Sequence, residues 1–150
     1  DQTPNFVNDA MRWGIEYEPH AKATWQAKTG MLIEDCGFIL HPTIEHFGAS
    51  PDGFVAQDTV IEIKCPTSST HVSWLIKDEF PAQHKPQVLA QLACTGRTSA
   101  ILVSYDPRMP FGQRMATWHW TPAKDEIKDI EAKAQSFLYE VEQLFAKVTA

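Results

Sequence analysis

Cysteine is scarce: Cys36, Cys65 and Cys94 are the three in 150 residues, an odd number with no C-x-x-C pair and no histidine at zinc-finger spacing. This argues against a disulfide framework and against structural zinc, and leaves buried free thiols in a reducing cytoplasm as the reading. No run approaches the about 18 apolar residues that a membrane span needs. The opening residues, Asp1-Gln2-Thr3-Pro4-Asn5, hold neither a basic stretch nor an apolar one, so no secretory signal is expected. Positive charge is not in excess either. A formal net charge of -6 argues against coating nucleic acid by bulk electrostatics, but leaves room for a local basic groove and bound cations. Internal repeats, low-complexity segments and linkers are all missing. What remains is an ordinary globular composition, 43% hydrophobic and 21% charged, expected to form one domain over residues 1–150 with a sizeable core.

The most informative stretch runs from Gly48-Ala49-Ser50-Pro51-Asp52-Gly53 to Val60-Ile61-Glu62-Ile63-Lys64-Cys65-Pro66. Pro presets φ, Asp hydrogen-bonds its own backbone and Gly tolerates positive φ, so Ser-Pro-Asp-Gly reads as a chain reversal. The residues that follow alternate like a half-buried strand, with Val60, Glu62 and Lys64 on one face and Ile61, Ile63 and Cys65 on the other. Glu62 comes ten positions after Asp52, room for a tight hairpin that lays the turn carboxylate beside the strand carboxylate and adds the Lys64 ammonium. Such a group suits a hard divalent cation, which prefers oxygen ligands. Singly, each motif is ordinarily a plain turn or a solvated pair. At this spacing and with apolar flanks, the set resembles the Asp, then Glu-x-Lys, signature of the PD-(D/E)xK nuclease superfamily.

From Thr3 to Thr29 the pattern is helical, with Thr3 as cap, Pro4 in the first turn, and Phe6, Val7, Ala10, Met11, Gly14, Ala21 and Trp25 near three- and four-residue spacing. Glu18 falls in that stripe, where a carboxylate needs a partner, and Pro19 should kink or restart the helix beside it. Gly30 closes the helix. Met31 to Leu40 reads as strand with a break at Cys36-Gly37, and Ile44 to Ala49 continues an antiparallel meander. Thr67-Ser68-Ser69-Thr70 should cap a helix over His71 to Lys77. A second helix is expected over Pro81 to Thr95, where Gln87 and Gln91 share a face apart from Val88, Leu89, Leu92 and Ala93; glutamines so placed are by default solvated. Ala100-Ile101-Leu102-Val103 reads as a strand covered on both sides, and Arg114 to Trp120 as one that pairs back. Thr121-Pro122 should cap a last helix whose stripe of Ile127, Ile130, Ala134, Phe137, Leu138, Val141, Leu144 and Phe145 is core or a partner interface. The fold class expected is α/β, a mixed sheet flanked by helices.

Ala10-Met11-Arg12-Trp13-Gly14 leading to Tyr17-Glu18, then Ser50-Pro51-Asp52-Gly53, Glu62-Ile63-Lys64-Cys65-Pro66, Gln87-Val88 and Tyr105-Asp106-Pro107-Arg108-Met109, in order and spacing, resemble the lambda exonuclease-like, YqaJ-type viral recombinase nucleases. The resemblance implies a restriction-endonuclease-like core and a metal-dependent exonuclease that digests one strand of duplex DNA from 5′ to 3′ in phage-type homologous recombination. It implies that Asp52 and Glu62, helped by the backbone carbonyl of Ile63, hold Mg2+ or Mn2+, two ions in all. It further implies that Lys64 matches the catalytic lysine and that Glu18 and Gln87 lie near the metals and the nucleophile. Double-stranded DNA ends, a homo-oligomeric ring of three subunits and a single-strand annealing protein are the implied partners, with no membrane and a cytoplasmic location in a bacterial host. Relatives carry an N-terminal segment that grips the 5′ end, whereas here only a few residues precede the first motif helix. Either that segment is missing or the grip differs. Lys85, Arg97, Arg108 and Arg114 are the candidate phosphate contacts. The alternatives are another superfamily nuclease, endonuclease or RecB-like, and an inactive domain that only binds DNA or assembles with partners.

Overall fold

The structure is a computed structural model that describes residues 8–150; the expected cap Thr3 and the apolar Phe6 and Val7, with Pro4, lie outside the described residues. Helix α1 (Asp9–Thr29) opens where the Asn8 side chain accepts the Met11 N–H at 2.8 Å, and it closes at Gly30, φ 72°. The expected break at Pro19 does not occur, because Pro19 is exposed and water can take up the Ile15 carbonyl that its missing N–H leaves over. Only the second half of the apolar stripe is covered. Ala21 and Trp25 are buried, while Met11 stays half exposed.

Strands β1 (Ile39–Leu40) and β2 (Gly48–Ala49) form a small antiparallel pair. The main sheet runs β3 (Gly53–Val55), β4 (Thr59–Lys64), β5 (Ser99–Tyr105), β6 (Met115–Trp120) in that spatial order. Its pairs are antiparallel, parallel and antiparallel, a mixed sheet as expected. The segment from Met31 to Leu40 holds less strand than its composition suggests: one bridge, Glu34 to Phe54, and the two residues of β1. Leu32, Phe38 and Leu40 are exposed, so no covering layer holds the segment in a longer ladder.

The parallel β4–β5 pair needs a crossover. It is made by α2 (Ser68–Lys77), a 3-10 turn (Ala82–His84) and α3 (Lys85–Thr95). The second helix therefore begins at Lys85 rather than Pro81, with Pro86 in its first turn, where a missing N–H costs no helical bond. Alternation along β4 divides the core between two faces. Ile61 and Ile63 pack with Ile101 and Val103 under Ala21 and Trp25 of α1, and Val60 packs with Ala100 under Val88 and Leu92 of α3. Helix α4 (Lys124–Thr149) is capped at Ala123 rather than at Thr121-Pro122, and the Glu126 side chain reaches back to the Ala123 N–H at 2.9 Å. Ile127 joins the core on the α3 side, but Phe137, Leu144 and Phe145 are exposed, so the stripe is core only near its start.

Gly53 has a different reason to be glycine than the one the turn suggests. It is not among the residues with positive φ. A Cβ there would lie 2.4 Å from Ile33 Cγ2 and 3.0 Å from the Glu34 carbonyl oxygen, so β3 lies against the Glu34 bridge only without a side chain. Gly53→Ala is expected to cost about 1–3 kcal/mol through overpacking. A melting curve of the variant checks this; an unchanged midpoint would mean that Ile33 simply rotates away.

Candidate active site

The hairpin between β3 and β4 delivers the first carboxylate. The Asp52 N–H donates to the Ile61 carbonyl at 3.1 Å, and Asp52 Oδ2 accepts the Ile63 N–H at 2.7 Å, so the side chain extends the ladder past the end of β3. In a strand, the N–H and C=O of one residue project to the same edge, so the Ile63 carbonyl also faces the Asp52 side. Glu62 points to the other helical layer and is 4% exposed. Its Oε1 takes Lys64 Nζ at 3.2 Å and Gln87 Nε2 at 3.4 Å, while its Oε2 takes Gln91 Nε2 at 2.6 Å. Lys64 Nζ also donates to Gln87 Oε1 at 3.1 Å. Glu18 enters from α1, near enough to Asp52 to feel its charge and 3.7 Å from Lys22 Nζ. Glu18, Asp52, Glu62, Lys64 and Gln87 are thus brought together at the C-terminal end of β4, between α1 and α3.

Crowded acids resist ionisation. Burial, then repulsion from Asp52, pushes the Glu62 pKa up to about 7 against the pull of Lys64 and Gln91. Burial and Asp52 raise Glu18 likewise. All the converging acceptors are oxygens, the chemistry of a hard divalent cation, whose charge would relieve that repulsion. Among the described residues no three side chains of His, Cys, Asp and Glu are grouped so as to hold a metal ion by themselves, so an ion at Asp52 and Glu62 would need the Ile63 carbonyl and water to complete its shell. A pH dependence follows from Glu62. Its folded pKa of about 7 lies above the ordinary 4.5, so in that window the native state binds more protons than the unfolded chain. With a chelator present, the melting temperature should fall as pH rises from about 5 to 8, and excess Mn2+ should reverse the trend. A flat profile in chelator would contradict it.

Cys65 adjoins the cluster but is no nucleophile: burial, then Glu18, Asp52 and Asp106, push its thiol up to about 12. The three cysteines are unpaired, as expected, but only Cys94 is buried; Cys36 and Cys65 are partly exposed. The four basic candidates are all engaged within the chain. Arg97 donates to the carbonyls of Ala56 and Thr59 and lies 3.7 Å over the Phe54 ring, at the end of β4 opposite Lys64, so the structure does not bring it to the carboxylates. Lys85 lies 4.8 Å over Trp120, and Arg114 Nε donates to the Met109 carbonyl. Arg108 stands nearest the chemistry. It donates to the Pro66 carbonyl at 3.0 Å, stacks 4.1 Å over Trp13 and pairs with buried Asp106 at 2.8 Å, bracing the chain just past Lys64.

Sequence reasoning left Gln91 on a solvated face, yet it is 1% exposed. The available signal was its place one turn after Gln87, on the side of α3 that must cover Glu62. His84, just before α3, was missed altogether; burial and then the Lys64 charge lower its pKa.

Comparison with known proteins fits this geometry. Residues 1–98 match the YqaJ-like viral recombinase domain family. The chain is similar to an alkaline exonuclease from Laribacter hongkongensis, with 38% identity over 95% of this chain and 74% of that one and a TM-score of 0.91. The same enzyme in complex with dAMP superposes with a TM-score of 0.92 over 96% and 74% of the two chains, again at 38% identity. A phage-related exonuclease from Haemophilus somnus 129PT, 13% identical, shares the fold over 98% of this chain and 77% of its own at a TM-score of 0.79. Comparison with curated proteins returns no match.

Proposed function

The chain belongs to the YqaJ-like viral recombinase domain family, and we propose that it is an exonuclease acting on ends of double-stranded DNA with two Mg2+ or Mn2+ ions, from 5′ to 3′, in phage-type homologous recombination. The observation that carries this reading is the convergence of Asp52, Glu62 and Lys64 at one strand end, with Asp52 locked to the Ile63 N–H. The related alkaline exonuclease, also solved in complex with the deoxynucleotide dAMP, supports the choice of DNA as substrate. On the same reading residues 1–150 are one nuclease domain, subunits form a trimer, and a single-strand annealing protein is the partner, in the cytoplasm of a bacterial host. No described helix is long and apolar enough to cross a membrane.

Asp52, Glu62 and the Ile63 carbonyl would hold the ions, and Glu18 would bind a water of their shell. Bound there, the ions would clamp the scissile phosphate, activate water and offset charge on the leaving oxygen. Lys64 supplies a fixed positive charge where the phosphate gains negative charge. Gln87, bonded to both Lys64 and Glu62, orients the pair and can turn its amide to the attacking water or a phosphate oxygen. Arg108 beside Pro66, and Arg114, are the proposed phosphate contacts near the site; Lys85, over Trp120, and Arg97 would act further along the duplex.

The test is digestion of a linear duplex with a 5′ phosphate, beside a closed circle, in Mg2+, Mn2+ or chelator. Shortening of the linear duplex alone, and only with metal, is expected. Cutting of the circle would favour an endonuclease, and metal binding without cleavage would favour a domain that only binds DNA.

A further inference from the structure

Among the described residues Gln91 is the one buried amide that meets the candidate site, and neither the motifs quoted above nor the proposed chemistry uses it. Its Nε2 donates to Glu62 Oε2 at 2.6 Å, the shortest of the contacts to that carboxylate, while the Lys64 and Gln87 contacts fall on Oε1 at 3.2 and 3.4 Å. Its own Oε1 is buried without a hydrogen-bond partner among the described residues. A methionine or leucine would fill the same space on α3, between buried Val88 and Leu92, without stranding a carbonyl. A half-satisfied amide in such a place asks for a reason beyond packing. The short bond to Glu62 provides one.

We infer that Gln91 is a positioning residue. It pins one oxygen of the Glu62 carboxylate, fixes the plane of the group, and so keeps the other oxygen turned to Lys64, Gln87 and the metal position. Amide-to-carboxylate bonds of this kind are charge-assisted and directional. Partners that orient a ligating carboxylate usually change metal affinity by about 10–100-fold when removed. The inference rests on the proposed metal-dependent reading of the same cluster.

The experiment is Mn2+ binding by titration calorimetry to the intact wild-type chain, Gln91→Met and Asp52→Ala, with the melting temperature of each in chelator. Wild type should bind, Asp52→Ala should not, and Gln91→Met should bind about 10–100-fold more weakly while melting in chelator within a few degrees of wild type. Should Gln91→Met fail to fold, Gln91→Ser, which leaves room for water beside Glu62, should show the same loss of affinity. Mn2+ affinity unchanged in the folded variant, with only a lower melting temperature, would reduce Gln91 to packing and overturn the inference. Absence of Mn2+ binding by wild type would overturn the metal-dependent reading itself, and the inference with it.

Discussion

Asp52→Asn should lose nuclease activity by about 10³-fold or more, equivalent to about 4 kcal/mol of transition-state stabilisation, and should do so while keeping the fold. The asparagine carbonyl can still accept the Ile63 N–H that Asp52 Oδ2 accepts at 2.7 Å, so the hairpin stays closed. What disappears is a negative charge at the point where the proposed cations would bind. The substitution therefore separates the structural bond from the electrostatic one, which alanine would not. Removing that charge also relieves the repulsion that helps to raise Glu62, so the variant in chelator should lose part of the fall in stability toward high pH. Single-turnover cleavage of an end-labelled duplex, with circular dichroism to confirm folding, measures both. Activity within about tenfold of wild type would remove Asp52 from the chemistry, because a ligand to a catalytic ion acts on a term worth several kcal/mol.

The second large effect is on stability. Asp106 is 0% exposed and accepts three bonds: Ser68 Oγ at 2.6 Å, and the backbone N–H and Nε–H of Arg108 at 3.0 and 2.8 Å. Burial works against its charge, but the bonds from Arg108 and Ser68 prevail and hold its pKa below the ordinary carboxylate value. Asp106→Ala strands the Ser68 hydroxyl at the start of α2 and the Arg108 backbone N–H in the turn after β5. Breaking a fully buried pair costs about 3–5 kcal/mol; the Arg108 side chain is 44% exposed and regains water, so about 2–3 kcal/mol is expected here. For a domain of this size the midpoint should drop by roughly 5–10 °C. The sign with pH is set by the depressed folded pKa: the contribution is complete above the unfolded value of about 4 and is lost as pH falls through the folded one. Wild type and Asp106→Ala should therefore converge in stability at strongly acid pH. A constant difference across pH would assign the effect to packing alone. Because Arg108 also braces Pro66, cleavage by the surviving folded variant should slow as well.

Period-two alternation placed Glu62 and Lys64 on one face of β4, and turn chemistry placed Asp52 beside them, because both are local: each follows from backbone geometry within about ten residues. The mixed sheet, the glycine stop at Gly30 and the free cysteines were legible for the same reason. Glu18 was legible as an acid in an apolar stripe, though its partner was not. Local rules misjudged Pro19, whose exposed side tolerates a lost backbone bond, and Gly53, whose constraint comes from Ile33 across a bridge rather than from its own φ. They misjudged Gln91 as well, because helical spacing says which residues share a face but not what covers that face.

By itself, the sequence determined the chemistry on offer: two carboxylates and a lysine at hairpin spacing, a third carboxylate and a glutamine on helices, and thiols too few to matter. Tertiary structure alone decided how those groups meet. The parallel β4–β5 crossover sets α3 over Glu62, α1 brings Glu18 to Asp52, and the resulting burial pushes Glu62 up to about 7. That outcome is not written in any short stretch, since desolvation and charge repulsion depend on distances closed by residues far apart in the chain.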